Sequence, residues 1–339
     1  MKNKLYLECT SGISGDMAVA ALLDLGASRE KLKKVLKSLP VKGFDIKISR
    51  VVKSGIDACD FDVVLDKEHE NHDHDMGYLH GHEHGGYSHN EARHGHEHGE
   101  HSHEHGESHS HHGHHHHEHR GLNEIMTIID HADMADRARS YAKKIFTILA
   151  EAEAKAHNVP ADQVHFHEVG AVDSIVDILS VAVCMDDLDV EEVIIPRLCE
   201  GSGTIRCQHG ILPVPVPAVS NIVSAYHLKL HITPVQGELV TPTGAAIAAA
   251  FITSEKLPED FTVETIGIGA GKRQYECPGI LRVMLIREAE KNTEIQKFSD
   301  TESDSIIKLE SNIDDCSGET LGYVMELLYE AGAREANYM

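Results

Sequence analysis

Histidine side chains are concentrated in one stretch of the chain. Of the 28 histidines, 21 lie between His69 and His119, among Gly, Glu, Asp and Ser residues. Neutral imidazole binds nickel, zinc and copper, and most imidazoles are neutral near pH 7. Repeated His-x-His units place several nitrogen donors within reach of one ion. The predicted ligands of this metal-binding tract are His94, His96, His98, His101, His103, His105, His114, His115, His116 and His117.

The tract contains almost no aliphatic residues. Such a stretch cannot bury enough apolar surface to offset the entropy lost on ordering, so we predict that residues 68–120 form a disordered insertion. A flexible tract of this kind would bind many ions reversibly and with little selectivity. The alternatives are a solubilising low-complexity segment and an affinity tag; the interior position and the irregular histidine spacing disfavour the tag.

A second candidate site lies in residues 164–177, with the sequence VHFHEVGAVDSIVD. If its first part is extended, His165 and His167 point to one face, because strand side chains alternate. Asp173 and Asp177, four residues apart on the helix that follows, also share a face. Two imidazoles and up to three carboxylates could form a metal site or an acid–base site. Alternatively, Asp173 caps the helix and the histidines are satisfied partners in a sheet.

A third candidate is the Gly/Ser turn Thr10–Asp16, between a predicted strand and a predicted helix. Here Ser14 and Gly15 could bring backbone N–H groups close to an anion at a helix N-terminus. Asp16 would repel a phosphate unless a metal ion lay between them. A simple capped turn is the alternative.

Two later turns have residues that suit a phosphate group. The segment 238–244 opens a helix of small residues, and the glycine-rich segment 267–273 ends in two cations. The candidate contacts are Thr241, Thr243, Lys272 and Arg273. Taken alone, each segment is better interpreted as a solvated hairpin turn. Cys207 and His209 could share a metal ion, but one such pair is a weak indication.

Composition excludes several classes of function. The formal net charge of −24 disfavours nucleic acid and anionic membranes as partners. Seven scattered cysteines without a Cys-x-x-Cys pair are typical of free thiols in a reducing compartment. We find no signal-peptide core and no apolar run of about 18 residues, and therefore predict a cytoplasmic protein. A hydrolytic zinc enzyme is disfavoured because no His-Glu-x-x-His helix is present.

Hydrophobic periodicity predicts the elements that must position these residues. Predicted strands cover residues 4–9, 44–52, 56–66, 192–196, 261–266 and 280–287. Predicted helices cover residues 17–26, 30–38, 121–131, 134–157, 172–188, 218–226, 241–253 and 318–332. The glycine-rich segments 201–210 and 267–273 are predicted to be a loop and a turn.

These elements predict an α+β protein, and a length of 339 residues allows about two domains. The main α/β-type domain, residues 1–290, would carry the disordered histidine-rich insertion. A polar linker follows at 291–304. Residues 305–339 read as the first strand and helix of a small ferredoxin-like domain that binds a nucleotide.

Six segments, in order along nearly the whole chain, together resemble the LarC family of nickel insertion proteins. These segments are SGISGDM at 11–17, HFHEVGAVDSIVD at 165–177, HGILPVPVPA at 209–218, ELVTPTGAA at 238–246, GIGAGKR at 267–273 and ESNIDDCSGE at 310–319. Six motifs in one order are far more specific than any one of them.

The resemblance implies insertion of Ni(II) into pyridinium-3,5-bisthiocarboxylic acid mononucleotide, with formation of carbon–nickel and sulfur–nickel bonds. It further implies a lyase-class cyclometallase that consumes CTP with Mn²⁺ or Mg²⁺ and supplies the nickel-pincer cofactor to lactate racemase. By analogy, candidates for nickel delivery and for accepting the proton lost from the ring are Asp16, His165, His167, Glu168 and Asp173. The soft sulfur of the substrate would help to draw nickel from nitrogen ligands.

Members of the LarC family continue beyond the position of residue 339, with the rest of a C-terminal domain that includes a basic segment suited to a nucleotide. We therefore expect this domain to be incomplete here, its remainder being encoded separately or absent from the reading frame. We also expect a homo-oligomer with no nucleic-acid or membrane partner. The alternative function is nickel storage, or a metallochaperone that acts without catalysis.

Overall fold

A computed structural model gives the fold. It describes residues 3–66, 120–164, 166, 172–207, 210–288, 311, 313 and 316–337. The predicted linker and residues 68–119 of the predicted insertion, with all ten proposed histidine ligands, lie outside the described residues. The chain divides after Ala289 into a main unit and a second unit.

Ten strands and seven helices of four or more residues are described in the main unit. The strands are β1 Asn3–Glu8, β2 Phe44–Lys53, β3 Ile56–Leu65, β4 Val190–Ile194, β5 Leu198–Ser202, β6 Thr204–Cys207, β7 Gly210–Pro213, β8 Leu230–Gln236, β9 Phe261–Ala270 and β10 Ile280–Glu288. The helices are α1 Gly15–Leu25, α2 Arg29–Lys37, α3 Leu122–His131, α4 Asp136–His157, α5 Val172–Asp187, α6 Pro217–Tyr226 and α7 Pro242–Phe251.

The second unit contributes one helix to the described residues, α8 Gly318–Glu330, capped by the Ser317 side chain, which accepts from the Thr320 amide. The predicted strand before this helix lies largely outside the described residues. A ferredoxin-like arrangement of this unit therefore stays a prediction.

The main unit is built on a mixed sheet of six strands in the order β2-β3-β9-β10-β1-β4. Strand β1 is antiparallel to β10 and parallel to β4, and β3 joins β9 through the parallel pair Cys59↔Gly269. Two smaller sheets pair β5 with β8 and β6 with β7. This mixture of helices with a mixed sheet confirms the α/β character predicted for the main domain.

Helix α1 lies against the sheet and determines where its own N-terminus sits. It contacts β3, β9, β10 and α5, and nine of its eleven residues are buried. The contact with β9 is close enough to exclude a side chain: a Cβ at Gly269 would lie 2.0 Å from the carbonyl oxygen of Met17. The first turn of α1 is therefore fixed beside the C-terminal end of β9.

Two local predictions were wrong, and one strand was missed. Residues 267–270 belong to β9 and are not part of a turn, because they pair with β10 as far as Ala270↔Ile280. Most of the predicted loop 201–210 is strand, since β6 and β7 pair as a hairpin. Strand β8 was not predicted, and it pairs in parallel with β5. None of the helices in the described ranges has both the length and the apolar character needed to span a bilayer.

Candidate active site at the start of helix α1

Two of the glycine-containing motifs lie directly against each other. The Ile13 amide donates to the carbonyl oxygen of Leu239 at 3.0 Å, and the Thr241 amide donates to the carbonyl oxygen of Ile13 at 3.1 Å. Ile13 and Val240 thereby form a parallel bridge. The turn before α1 is thus held by the turn before α7.

Glycine is required on both sides of this contact. Gly12 has a φ of +85°, and a Cβ there would lie 1.9 Å from the carbonyl oxygen of Leu239. A Cβ at Gly244 would lie 2.0 Å from the carbonyl oxygen of Ile13. Any side chain at either position would push the two segments apart. Packing of one backbone on another therefore explains these two glycines without a bound anion.

The start of α1 also meets the acidic face of α5. Asp16 lies in the first turn of α1, and Asp173 lies in the first turn of α5. Asp177 packs on the α1 backbone, since a Cβ at Gly15 would lie 2.6 Å from its Oδ2 atom. The Oδ1 atom of Asp177 is buried and accepts no hydrogen bond from the described residues. Of the predicted pair Asp173 and Asp177, it is therefore Asp177 that contacts the predicted anion turn.

Burial and mutual repulsion shift the proton affinities of these carboxyl groups. Burial raises the pKa of Asp177 well above its ordinary value, and the charges of Asp16 and Asp173 raise it further. Burial also raises the pKa of Asp16, against hydrogen bonding from the Ser14 hydroxyl and the charge of Lys272. A carboxyl group with a raised pKa can accept and release a proton nearer neutral pH, which suits general acid–base catalysis.

Lys272 supplies the positive charge beside these carboxyl groups. Its Nζ atom lies 2.6 Å from Oδ1 of Asp60 and 3.3 Å from Oδ1 of Asp62. Burial alone would lower the pKa of Lys272, but the hydrogen bond with Asp60 and the charges of Asp60, Asp62 and Asp16 raise it overall. Lys272 is therefore a charged counter-ion in a group of five aspartates.

The residues predicted to bind a nucleotide are engaged within the protein. Ser14 donates its hydroxyl to Asp16, and the Thr241 side chain accepts from the Gly244 amide at 3.1 Å as the N-cap of α7. Arg273 donates to Oε2 of Glu238 at 2.9 Å. Thr243 is buried. With Lys272 held by aspartates and Gly15 packed on Asp177, the described residues do not fit a triphosphate group, which needs cations and hydroxyls free of carboxylates.

The structure does not place most of the other predicted site residues. His165, His167, Glu168 and His209 lie outside the described residues. Cys207 is half-buried on β6. Across the described ranges, no three His, Cys, Asp or Glu side chains come together as a metal site requires.

Sequence reasoning missed Asp60 and Asp62 and did not select Asp177 as catalytic. Asp60 and Asp62 alternate with buried Cys59 and Phe61 on β3, so a period of two was the available signal. It also missed Glu200, a fully buried carboxyl group on β5. A glutamate inside the apolar run before Gly201 was the signal there.

A family model described as nickel insertion protein matches residues 5–339. The chain belongs to the nickel insertion protein family. No solved structure matches the chain.

Several members of this family carry a more specific name, pyridinium-3,5-bisthiocarboxylic acid mononucleotide nickel insertion protein. The one from Alkaliphilus metalliredigens is 48% identical over 340 residues, covering 99% of this chain and 74% of the relative. The one from Clostridium acetobutylicum is 44% identical over 330 residues, covering 97% of this chain and 72% of the relative. The one from Acetivibrio thermocellus is 38% identical over 334 residues, with 98% and 70% covered.

The raised pKa of Asp177 predicts a pH-dependent effect on stability. In the unfolded chain this carboxyl group ionises near pH 4, whereas in the fold its pKa is raised, so the folded state binds more protons between the two values. The free energy of unfolding therefore falls as pH rises through this window. We expect Asp177→Asn to raise the free energy of unfolding by about 1 kcal/mol at pH 7. This increase should disappear as the pH is lowered towards 4.

Urea unfolding across this pH range checks the prediction. Asp260→Asn, at an exposed aspartate, gives the effect of the same chemical change at the surface. A stability difference for Asp177→Asn that is the same at pH 4 and pH 7 would contradict the assignment.

Proposed function

We propose that this protein inserts Ni(II) into pyridinium-3,5-bisthiocarboxylic acid mononucleotide, with Asp16 and Asp177 as the acid–base pair. The names of its relatives support the metal and the substrate. In the structure, one observation carries the proposal: Asp177 packs on Gly15 at the start of α1, next to Asp16, and both carboxyl groups have raised pKa values near Lys272.

The reaction itself requires a proton acceptor. Forming a carbon–nickel bond on the pyridinium ring breaks a C–H bond; the electron pair of that bond stays on carbon and forms the bond with nickel, and the proton must be taken up. We assign its uptake to the carboxylate of Asp16 or Asp177, whose raised pKa makes it a stronger base than an exposed aspartate. The two sulfur atoms of the substrate bind the ion on either side of the new bond.

Nickel supply is assigned to the histidine-rich segment 69–119. Imidazole nitrogens would hold the ion reversibly, and thiocarboxylate sulfur would then compete for it because nickel is a borderline-soft ion. In this proposal His165, His167, Glu168 and Asp173 receive the ion between the tract and the substrate. The ion is a substrate of the reaction and not a resident cofactor.

The finer features come from the resemblance and from the composition of the sequence. They are a CTP-dependent reaction of the lyase class with Mn²⁺ or Mg²⁺, delivery of the product to a lactate racemase, action as a cytoplasmic homo-oligomer, and a separately encoded C-terminal segment. Because Lys272 and Arg273 are held by carboxylates in the main unit, no step of the mechanism is assigned to CTP there.

Nickel storage, or a metallochaperone that acts without catalysis, is the second candidate. The observation that favours it is the number of histidines, since 21 imidazoles exceed what one insertion event needs.

Deleting residues 69–119 separates the two functions. An insertase should form cofactor at an unchanged rate when nickel is saturating and slow by about tenfold when nickel is scarce, because only the local supply is lost. The measurement is cofactor formation over a nickel titration, with a Gly/Ser segment of equal length as the control for loop closure. Loss of formation at saturating nickel would contradict this role of the tract.

Replacing either member of the acid–base pair should reduce catalysis even at saturating nickel, unlike deletion of the tract. We expect Asp16→Asn and Asp177→Asn each to reduce cofactor formation about 100-fold or more at every nickel concentration, because the proton acceptor is removed. Nickel bound per chain, measured by equilibrium dialysis, should stay the same.

Asp260→Asn serves as the matched control and should retain full activity. If both site variants form cofactor at the unmodified rate, the acid–base assignment is wrong. His165→Ala and Asp173→Ala then test the transfer step, since they should slow insertion without changing the total nickel bound.

A further inference from the structure

Glu200 is a buried carboxyl group that the proposed reaction does not use. It lies on β5, its solvent-exposed fraction is 0%, and it pairs across the small sheet with Ile232. Its Oε1 atom accepts three backbone hydrogen bonds, from the amides of Gly201 at 2.8 Å, Leu239 at 2.7 Å and Val240 at 3.0 Å. One oxygen atom thus ties the end of β5 to the turn before α7.

The second oxygen atom of the Glu200 carboxyl group differs from the first in its hydrogen bonding. Its Oε2 atom is equally buried and accepts no hydrogen bond from the described residues. Burial raises the pKa of Glu200, although the three amides act in the opposite direction. A buried oxygen atom without a hydrogen-bond partner lowers the free energy of unfolding. Proteins typically keep such a destabilising feature where function requires it.

The contacts of Glu200 lead to Asp16 in three steps. The amides of Leu239 and Val240 donate to Glu200. The carbonyl oxygen of Leu239 in turn accepts from the Ile13 amide, and Val240 forms the parallel bridge with Ile13. Ile13 is followed directly by Ser14, the N-cap of α1, whose hydroxyl donates to Asp16. A shift of the turn at Leu239 would therefore move the first turn of α1.

The same turn is also fixed from its other side. The Tyr275 hydroxyl donates to the backbone carbonyl of Glu238 at 2.6 Å, and Arg273 bonds the Glu238 side chain. Residues 238–240 are therefore held between the 273–275 segment and Glu200. Without Glu200, the amides of Leu239 and Val240 would lose their shared acceptor.

We infer that Glu200 is a positioning residue for the acid–base pair: by gathering the amides of Leu239 and Val240 on one oxygen atom, it fixes Ile13 and so the placement of Asp16. This inference rests on the proposed function, because it assigns Glu200 a part in that reaction. Glu200 itself touches neither the substrate nor nickel in this account.

Glu200→Gln tests the inference with a nearly isosteric side chain. A neutral carbonyl oxygen forms weaker hydrogen bonds than a carboxylate, so its hold on the amides of Leu239 and Val240 is weaker. We expect kcat per folded molecule to fall about tenfold, with KM for the pyridinium substrate within about twofold. Amide hydrogen exchange at Ile13, Leu239 and Val240 should become about tenfold faster.

Ile129→Val is the control for simple loss of stability, since it removes one buried methyl group from α3, which holds none of the site residues. Ile129→Val should leave kcat unchanged. Amide hydrogen exchange at Ile13 should change no more than exchange at other core amides. The inference is overturned if Glu200→Gln keeps kcat within twofold, or if exchange quickens at Leu239 and Val240 but not at Ile13.

The exchange measurement does not depend on catalysis. If the unmodified chain forms no cofactor while exchange at Ile13 responds to Glu200→Gln, the proposed function fails and the structural coupling stands. If the unmodified chain is active and Glu200→Gln matches it in both measurements, only the role of Glu200 fails.

Discussion

The close contact between residues 12–13 and residues 239–244 determines the geometry of the site. Two carbonyl oxygens lie where a side chain would begin, so only glycine allows Ile13 to bond both Leu239 and Thr241. This contact fixes the starts of α1 and α7 relative to each other. Together with the packing of α1 on β9, it brings residues from distant parts of the main unit to one place.

The electrostatic interactions at the start of α1 reduce the stability of the fold. Lys272 lies among several aspartates, and Asp16 and Asp177 have raised pKa values because burial and like charges disfavour ionisation. A fold that served stability alone would not collect these charges. The same features suit a proton acceptor for formation of a carbon–nickel bond, so the energetic disadvantage and the proposed chemistry have one physical origin.

Hydrophobic periodicity was enough to predict β1, α1 and α5 within three residues, and with them the shared face of Asp173 and Asp177. It could not predict that residues 267–270 are strand, since glycines indicate a turn until the contact with α1 is known. Asp60 and Asp62 were missed because their pairing with Lys272 depends on the parallel β3–β9 register, a non-local feature. Glu200 was missed for the same reason: its three amide donors include two that are about 40 residues away in sequence.

The most direct test is a carbon-13 NMR titration of the Asp16 and Asp177 carboxyl groups in the full chain. Coupled buried groups should take up protons in two steps, with at least one midpoint clearly above the ordinary aspartate value of about 3.9. Lys272→Met should then move these midpoints to higher pH, because a neighbouring positive charge is removed. If both groups titrate near 3.9 and do not respond to Lys272→Met, the two carboxyl groups do not form the buried pair on which this account depends.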